Sequence, residues 1–257
     1  RAGRTRAFRW ESGRMQDLGT LGGDSSVAYG VSEDGSVIVG SAETADRSAR
    51  AFRWEGGRMQ DLGTLGGNFS EAFDVSADGS VVVGQSADGS RRYPAFRWKD
   101  GSMHSLGTLG GNEARAYGVS ADGSVVVGYS VNSTGSYRAF RWTNSGGMED
   151  LNITYAGLLT RGSVLTIATD VSPDGRYIVG QGYNAATGRR EVFLLNTCAE
   201  HGGDVDNNRC IDDADLLAVL FAFGSTGSNL GRVDVNCDQV VDDADLLTVL
   251  FNFGSGC

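Results

Sequence analysis

The sequence predicts a mainly β protein built from stacked four-stranded repeats, with a small α-helical unit at its C-terminal end. Two observations predict this fold class. The string Ala-Phe-Arg-Trp recurs every 44 residues, beginning at Ala7, Ala51, Ala95 and Ala139. The string Asp-Asp-Ala-Asp-Leu-Leu recurs after 30 residues, beginning at Asp212 and Asp242. Fixed periods of this kind indicate folds that stack one small unit, so we predict a repeat domain over residues 1–197 and a second domain over residues 198–257.

Each 44-residue repeat contains four runs with strand character. In the first complete repeat these runs are Val27–Val31, Ser36–Gly40, Arg50–Trp54 and Arg58–Gly63. The Asp34–Gly35 pair, which returns in every repeat, is a strong hairpin signal. Apolar runs such as Val81–Val83 favour strands that are covered on both faces. Four strands per repeat of this length are typical of a β-propeller blade. A right-handed β-solenoid is the alternative.

Three strings recur in fixed order between Ala7 and about Gly180: AFRW, LGTLGG and VSxDGSVVVG. This part of the chain resembles the HAF family of extracellular repeats. The resemblance implies an exported protein. It implies no particular reaction, because the family is recognised by its repeat rather than by catalysis.

The residues that recur in every repeat are interpreted as structural. We expect the Phe and Trp of each AFRW string to pack between blades, and its Arg to bind backbone carbonyls or acids of the next blade. Carbohydrate stacking is the alternative role for the tryptophans. His104 replaces a glutamine of the sister repeats, which indicates sequence drift. One irregular stretch, Asn144–Ser163, lengthens the period by about eight residues and is where we expect a ligand.

The strand count leaves an N-terminal hairpin, Arg6–Trp10 with Arg14–Leu18, that has no blade of its own. It could complete the fourth blade by ring closure, but Glu191–Leu195 would compete for the same position. Unpaired strands readily pair with other chains. Either residues upstream complete the ring, or the spare strand pairs with a neighbouring molecule and propagates a head-to-tail fibre.

Acidic residues and cysteines concentrate in the last 60 residues. This segment holds 11 acidic residues and two arginines, and therefore nine of the ten net negative charges. An acidic chain without a basic stripe argues against nucleic acid as a partner, and no apolar stretch reaches the roughly 18–20 residues of a membrane span. The cysteines are Cys198, Cys210, Cys237 and Cys257. Four cysteines in a small domain favour disulfides and an oxidising compartment, and three connectivities remain open.

Two stretches of the tail place oxygen ligands at alternate positions before an apolar helix. Positions 1, 3, 5, 7, 9 and 12 of the first loop are Asp204, Asp206, Asn208, Cys210, Asp212 and Asp215. The same positions of the second loop are Asp234, Asn236, Asp238, Val240, Asp242 and Asp245. Side chains at 1, 3 and 5, a backbone carbonyl at 7 and a carboxylate at 12 suit a Ca²⁺ ion, with position 9 acting through water. The sequence therefore predicts two Ca²⁺ ions. The alternative, acids that only cap helices, does not explain the full spacing occurring twice.

Residues Gly203–Gly254 resemble a type I dockerin, which pairs two loop-helix calcium units without the entering helix of an EF-hand. Asp at position 12 agrees with this family. Position 6, a glycine in the family, is Arg209 or Gln239 here, and positions 10 and 11 read Asp-Ala rather than Ser/Thr. The resemblance implies docking to a cohesin-like domain.

The leading interpretation is a non-enzymatic extracellular structural protein. Its rigid β-propeller would be docked by the calcium-stabilised tail to a cohesin-like domain, or to other copies of itself in filaments formed by strand exchange. The alternative is a glycan- or peptide-binding module that is anchored through its tail. An enzyme is disfavoured because the chain has two histidines, no Ser-His constellation and no unrepeated carboxylate pair.

Overall fold

The computed structural model describes residues 5–197, 203–206, 208, 210–227, 230–237 and 240–257. The chain divides into two compact units, Arg1–Leu195 and Asn196–Cys257, called here the array unit and the tail unit. It is mainly β, and its repeats form antiparallel four-stranded sheets, so the coarse fold prediction is confirmed. In the described part of the chain, no helix has the length and apolar character needed to cross a membrane.

The described part of the array unit consists of one hairpin and four sheets, numbered in chain order. The hairpin is β1 (Phe8–Glu11) and β2 (Arg14–Asp17). Sheet 1 is β3 (Gly22–Val31), β4 (Val37–Thr44), β5 (Ala49–Glu55) and β6 (Arg58–Asp61). Sheet 2 is β7 (Gly66–Val75), β8 (Val81–Asp88), β9 (Ala95–Lys99) and β10 (Ser102–Gly107). Sheet 3 is β11 (Gly110–Val119), β12 (Val125–Asn132), β13 (Tyr137–Thr143) and β14 (Gly147–Asp150). Sheet 4 is β15 (Val164–Val171), β16 (Tyr177–Asn184) and β17 (Arg189–Asn196).

The strands of each four-stranded sheet lie side by side in chain order and pair antiparallel. The four runs predicted in the first repeat all fall in sheet 1. The first run is part of a longer strand, because Gly22 and Ser26 also pair with β4. A β-solenoid pairs its successive coils in parallel, so the antiparallel ladders exclude that alternative.

The middle strands are covered on both faces, as the apolar runs predict. Val82 packs towards sheet 1, whereas Val81 and Val83 pack towards sheet 3, and none of the three is exposed. The phenylalanines of the AFRW strings at Phe52, Phe96 and Phe140 are also fully buried in the contacts between sheets. Complete burial of such a side chain contributes roughly 1.5–3 kcal/mol. The packing role predicted for these residues is therefore confirmed in sheets 1 to 3.

The Asp-Gly turns link each sheet to the next. In the turn of sheet 2, the Ala77 amide donates to the carbonyl of Ala121 in the turn of sheet 3, at 3.0 Å. Gly79 has a φ of +73°, and a Cβ there would lie 2.5 Å from Cγ2 of Val37 in sheet 1. Both the backbone conformation and the close approach require glycine, which explains why the dipeptide recurs.

The N-terminal hairpin packs against sheet 1, not against sheet 4 as ring closure would require. Ala7 and Leu18 are buried in a cluster with Phe52 and Trp54, and the Ala7 amide donates to Ser26 Oγ at 3.0 Å. The hairpin therefore occupies the position of the outer half of a preceding sheet. Sheet 4 has three strands, and among the described residues no fourth strand lies beside β17.

The irregular stretch before sheet 4 forms a short helix, α1 (Leu151–Thr154), and a 3₁₀ turn, Ala156–Leu158. Asn152 joins this insertion to β15: its Oδ1 accepts from the Leu165 amide at 2.7 Å and its Nδ2 donates to the Leu165 carbonyl at 2.9 Å. The added residues thus form an ordered extension of sheet 4.

The tail unit contains two helices, α2 (Asp213–Ala222) and α3 (Asp243–Phe251), and a 3₁₀ turn, Gly231–Val233. Each loop pairs with the chain that follows the other helix. The Ile211 amide donates to the Ser255 carbonyl at 3.0 Å, and the Val241 amide donates to the Ser225 carbonyl at 2.9 Å. The core lies between these pairs and contains Val219, Val249, Ile211, Val241 and Val235. The two halves of the tail unit are therefore related by repeated contacts as well as by sequence.

The helices pack by only part of the apolar side that the sequence predicts. Helical spacing places Leu216, Val219, Leu220 and Phe223 on one side of the first helix, and Leu246, Val249, Leu250 and Phe253 on one side of the second. Val219 is fully buried, but Leu220 is 46% and Phe223 is 47% exposed. Leu250 in α3 and Phe253 just after its end are each 47% exposed. Two helices with one shared core cover only one side of each other, so the second row of apolar residues remains at the surface.

Candidate functional site

The first predicted calcium loop brings three carboxylates together. Ligand oxygens of Asp204, Asp206 and Asp215 lie within 4.8 Å of one another. Two oxygens on opposite sides of a Ca²⁺ ion are about 5 Å apart, because each lies 2.3–2.6 Å from the ion. Asn208 lies against the same cluster, because its backbone amide donates to Asp204 Oδ1 at 3.1 Å and to Asp206 Oδ1 at 3.0 Å. The donor set is hard oxygen throughout and fits calcium.

Asp215 organises this loop from the first turn of α2. Its side chain is fully buried. Its Oδ1 accepts from the amides of Val205 and Asp206, at 2.6 and 3.0 Å, and its Oδ2 accepts from the Asp212 amide at 2.9 Å. The position-12 carboxylate therefore fixes both ends of the loop as well as offering oxygens to an ion.

The second loop repeats this arrangement. Asp245 is fully buried and accepts from the amides of Asn236 and Asp242, each at 2.9 Å. Asp234 is also buried. Asp238, predicted as a ligand, lies outside the described residues, as do the position-6 residues Arg209 and Gln239. The described ligands of this loop again offer only oxygen.

The remaining predicted ligands have further structural roles. Asp212 and Asp242, which we expect to act through water, cap α2 and α3: each accepts from the amide two residues later, Ala214 or Ala244, at 2.8 Å. Cys210 at position 7 forms a disulfide with Cys257. Its carbonyl, like that of Val240, is the group that a calcium loop would use. Cys237 is also disulfide-bonded, and Cys198 lies outside the described residues.

The exposed faces of α2 and α3 match each other. Phe221 and Phe251 are 87% and 83% exposed, and Leu217 and Leu247 are 49% and 47% exposed. These four residues, with Leu220 and Leu250, define what we call the helix faces. Exposed apolar patches of this kind usually mark interaction sites.

In the array unit, two of the four AFRW arginines bind a backbone carbonyl of the next sheet as predicted, whereas Arg9 pairs with Glu11 of its own hairpin. The Arg53 guanidinium donates to the Gly79 carbonyl of the next sheet at 3.1 Å, and Arg97 donates to the Gly123 carbonyl in the same way. Arg141 differs, because it contacts Glu149 and Tyr155 instead.

The amide of Ser36 and the hydroxyls of Ser32 and Ser36 donate to Asp34, which lowers the pKa of that carboxyl to about 2. The turn thus accounts for the aspartate of the Asp-Gly pair. His104 lies on β10 and is exposed.

The insertion before sheet 4 lines a small cavity where the sequence predicts a ligand. The cavity has a volume of about 180 Å³ and is lined by Leu158, Leu159, Tyr183 and Phe193, with Asn184 and Glu191 among its polar residues. Ligand pockets usually start at roughly 300 Å³. The cavity is therefore small for a ligand site.

Asp74 carries a pH-sensitive charge between sheets 2 and 3. Burial, and to a smaller extent the nearby Asp170 carboxylate, raise its pKa to about 6, although the amides of Val75 and Val119 donate to it. The folded state therefore binds a proton more tightly than the unfolded chain. The contribution of Asp74 to array stability should be full below about pH 4 and should fall by about 3 kcal/mol as the pH rises through 6.

We predict that Asp74→Asn removes this fall and stabilises the array at pH 7. Unfolding followed by tryptophan fluorescence between pH 4 and 7 measures the effect, because all four tryptophans lie in the array unit. Asp34→Asn is the control with the opposite sign: the pKa of Asp34 is depressed, so its loss should destabilise the array at neutral pH. An unchanged pH profile in Asp74→Asn would contradict the assignment.

The sequence interpretation missed a row of aromatic rings on the first strands of sheets 1 to 3. Tyr29, Phe73 and Tyr117 occupy the same repeat position, 44 residues apart, and their rings are in contact. The period could have revealed them. The residues that surround these rings differ between repeats, and only the structure shows that they lie together.

No family model matches the chain, and no curated protein matches it. Among solved structures, TolB from Acinetobacter baumannii is 19% identical, with a TM-score of 0.48 over 72% of this chain and 44% of that chain. A putative TolB from Agrobacterium tumefaciens is 14% identical, with a TM-score of 0.49 over 71% of this chain and 62% of that chain. The β-propeller domain of the Trilobed protease from Pyrococcus furiosus is 9% identical, with a TM-score of 0.28 over 71% of this chain and 83% of that chain. The match spans less than two thirds of the length of both TolB chains.

Proposed function

We propose that this protein is a non-enzymatic extracellular assembly protein. Its array unit is a β-propeller-type body, and its tail is a dockerin-like module that binds two Ca²⁺ ions and docks the body to a protein partner. The observation that carries the proposal is the matched pair of helix faces, with Phe221 and Phe251 more than four-fifths exposed. A group of large apolar side chains exposed together usually marks a surface that a partner covers.

Calcium would couple to docking through the first turn of each helix. Asp215 and Asp245 are at once predicted ligands and the third residues of α2 and α3. An ion held by either loop therefore fixes the start of the helix that presents the exposed face. Because such a site barely exists in an unfolded chain, ion binding also stabilises the folded tail.

Two partners are consistent with these surfaces: a cohesin-like domain, or another copy of the chain. Self-assembly is favoured by the edge of sheet 4, where Val192 is 88% and Leu194 is 68% exposed on β17. An exposed apolar edge strand readily pairs with a strand of another molecule. The Cys210–Cys257 disulfide supports an oxidising, extracellular location.

Sedimentation velocity of the purified chain, with calcium and with EDTA, tests the proposal. We expect calcium to produce concentration-dependent oligomers that dissociate in EDTA. Phe221→Ser with Phe251→Ser should abolish helix-mediated docking, whereas Val192→Lys with Leu194→Lys should abolish strand exchange. Ile153→Ser is the control, because Ile153 is 76% exposed but lies in the insertion of the array unit.

A monomer at every protein and calcium concentration would contradict assembly between copies and confine docking to a different protein. Oligomers that persist in EDTA and in the helix-face variant would contradict the calcium-dependent role of the tail.

A further inference from the structure

We propose that the array unit binds a neutral carbohydrate chain along a row of five aromatic rings. This aromatic row consists of Tyr29, Phe73, Tyr117, Tyr129 and Tyr137. Successive ring centroids are 5.7, 5.3, 5.8 and 5.1 Å apart, and the ring planes are tilted by 44° to 56°. The site is separate from the calcium loops and does not depend on the docking role proposed for the tail.

The fold builds the row from two different directions. Tyr29, Phe73 and Tyr117 lie on the first strands of sheets 1, 2 and 3, so stacking of the repeats brings their rings together. At Tyr117 the row turns along sheet 3 to Tyr129 on β12 and Tyr137 on β13. Repeat geometry makes the first part. In the second part, Tyr129 occurs only in the third repeat, whereas Tyr137 has an equivalent in Tyr93 of the second repeat.

The two ends of the row are accessible. Tyr29 is 50% and Tyr137 is 49% exposed, whereas Phe73 and Tyr117 are partly buried and Tyr129 is 5% exposed at the base. Tyrosine offers an apolar ring and a polar hydroxyl, and suits sites that are wet on one side. Packing alone would not require large rings at the exposed ends.

Charged groups that can bind hydroxyls flank the middle of the row. The Tyr129 hydroxyl donates to Glu113 Oε1, and Arg115 Nε lies 3.4 Å from the same oxygen. Arg115 Nε is buried and makes no hydrogen bond. Glu71 lies close enough to Arg115 for their charges to interact, and burial raises the pKa of this carboxyl. The site therefore offers both acceptors and donors.

The residue type at the position of Arg115 and Glu71 varies from repeat to repeat. Arg115 and Glu71 occupy a position that is Val27 in sheet 1 and Ile167 in sheet 4. Packing explains residues that are the same in every repeat. It does not explain a guanidinium and a carboxylate that occur once each beside aromatic rings.

The chemistry favours a neutral polyhydroxylated ligand. A sugar presents C–H groups to an aromatic face and hydroxyls that both donate and accept, as this mixed set of side chains requires. Single-stranded nucleic acid would also stack on aromatic rings but needs a basic groove. The carboxylates of Glu71 and Glu113 would repel the phosphates of a nucleic acid. An anionic ligand meets the same repulsion, and Arg115 disfavours a cation.

Isothermal titration calorimetry of the full chain with neutral hexasaccharides tests the proposal. The probes are hexamers of β-1,4-glucose, β-1,4-xylose, β-1,4-mannose and β-1,4-N-acetylglucosamine, and a polyproline peptide tests for peptide binding. We expect at least one sugar to bind. Tyr29→Ala and Tyr137→Ala should each weaken that binding by about fivefold, while Tyr29→Phe should keep most of it.

Tyr93→Ala is the matched control, because Tyr93 is 41% exposed, contacts Phe69 and lies outside the row. EDTA should not alter sugar binding, which separates this site from the proposed role of the tail. The proposal is overturned if no hexasaccharide binds, if only the peptide binds, or if the Tyr29 and Tyr137 variants bind as tightly as the Tyr93 variant.

Discussion

Asp215→Ala is expected to lower the unfolding temperature of the tail unit and to leave the stability of the array unit unchanged. The substitution removes a fully buried carboxylate and leaves the amides of Val205, Asp206 and Asp212 without their acceptor. Hydrogen bonds to a charged group contribute about 1.5–3 kcal/mol each, so the loss is roughly 3 kcal/mol or more before any ion is considered. A unit of this size has little stability to spare.

Two spectroscopic signals separate the units in this experiment. Helical circular dichroism reports mainly on α2 and α3, whereas tryptophan fluorescence reports only on the array. We expect the variant to lose the helical signal at a lower temperature, with unchanged fluorescence, and calcium to restore less stability than in the parent chain.

Asp213→Ala is the matched control for Asp215→Ala. Asp213 is the adjacent acid on the first turn of α2, but it is exposed and is not among the predicted calcium ligands. Its loss should change tail stability by less than about 1 kcal/mol. If the two variants unfold alike, the carboxylate at position 12 does not hold the loop.

Phe96→Ala is expected to destabilise the array unit by about 3–5 kcal/mol. Phe96 is fully buried in the cluster between sheets 1 and 2, with its ring over Gly84 of the neighbouring strand. The substitution leaves a cavity that neither sheet can collapse to fill. Denaturant unfolding followed by tryptophan fluorescence measures the change.

The same position in the N-terminal hairpin supplies the control. Phe8 stands in the first AFRW string, where Phe96 stands in the third, but it is 53% exposed. Phe8→Ala should therefore cost well under half as much. Equal losses in the two variants would mean that coverage by the preceding sheet does not decide the role of this residue.

The fold of the array was predictable because its signals are local and repeated. An Asp-Gly pair sets a turn, and an apolar run such as Val81–Val83 sets a strand with two covered faces. Each signal occurs several times, so chance agreement is small. The position of the N-terminal hairpin was not predictable, because sheets 1 and 4 offer it equivalent partners in sequence.

The candidate sites were predictable only in part. Spacing brought out the acids of the predicted calcium loops, but it could not show that Asp215 accepts three backbone hydrogen bonds. Helical periodicity placed Leu220 and Phe223 on the same side as Val219, but it cannot show how many elements are available to cover that side. The aromatic row depends on contacts between strands of different sheets, and no local pattern encodes those contacts.

Native mass spectrometry of the intact chain in calcium tests the central claim most directly. The account predicts two bound Ca²⁺ ions, one fewer in Asp215→Ala, and none after EDTA. A chain that binds no calcium when the ion is in excess, or an Asp215→Ala variant that still binds two ions, would contradict it.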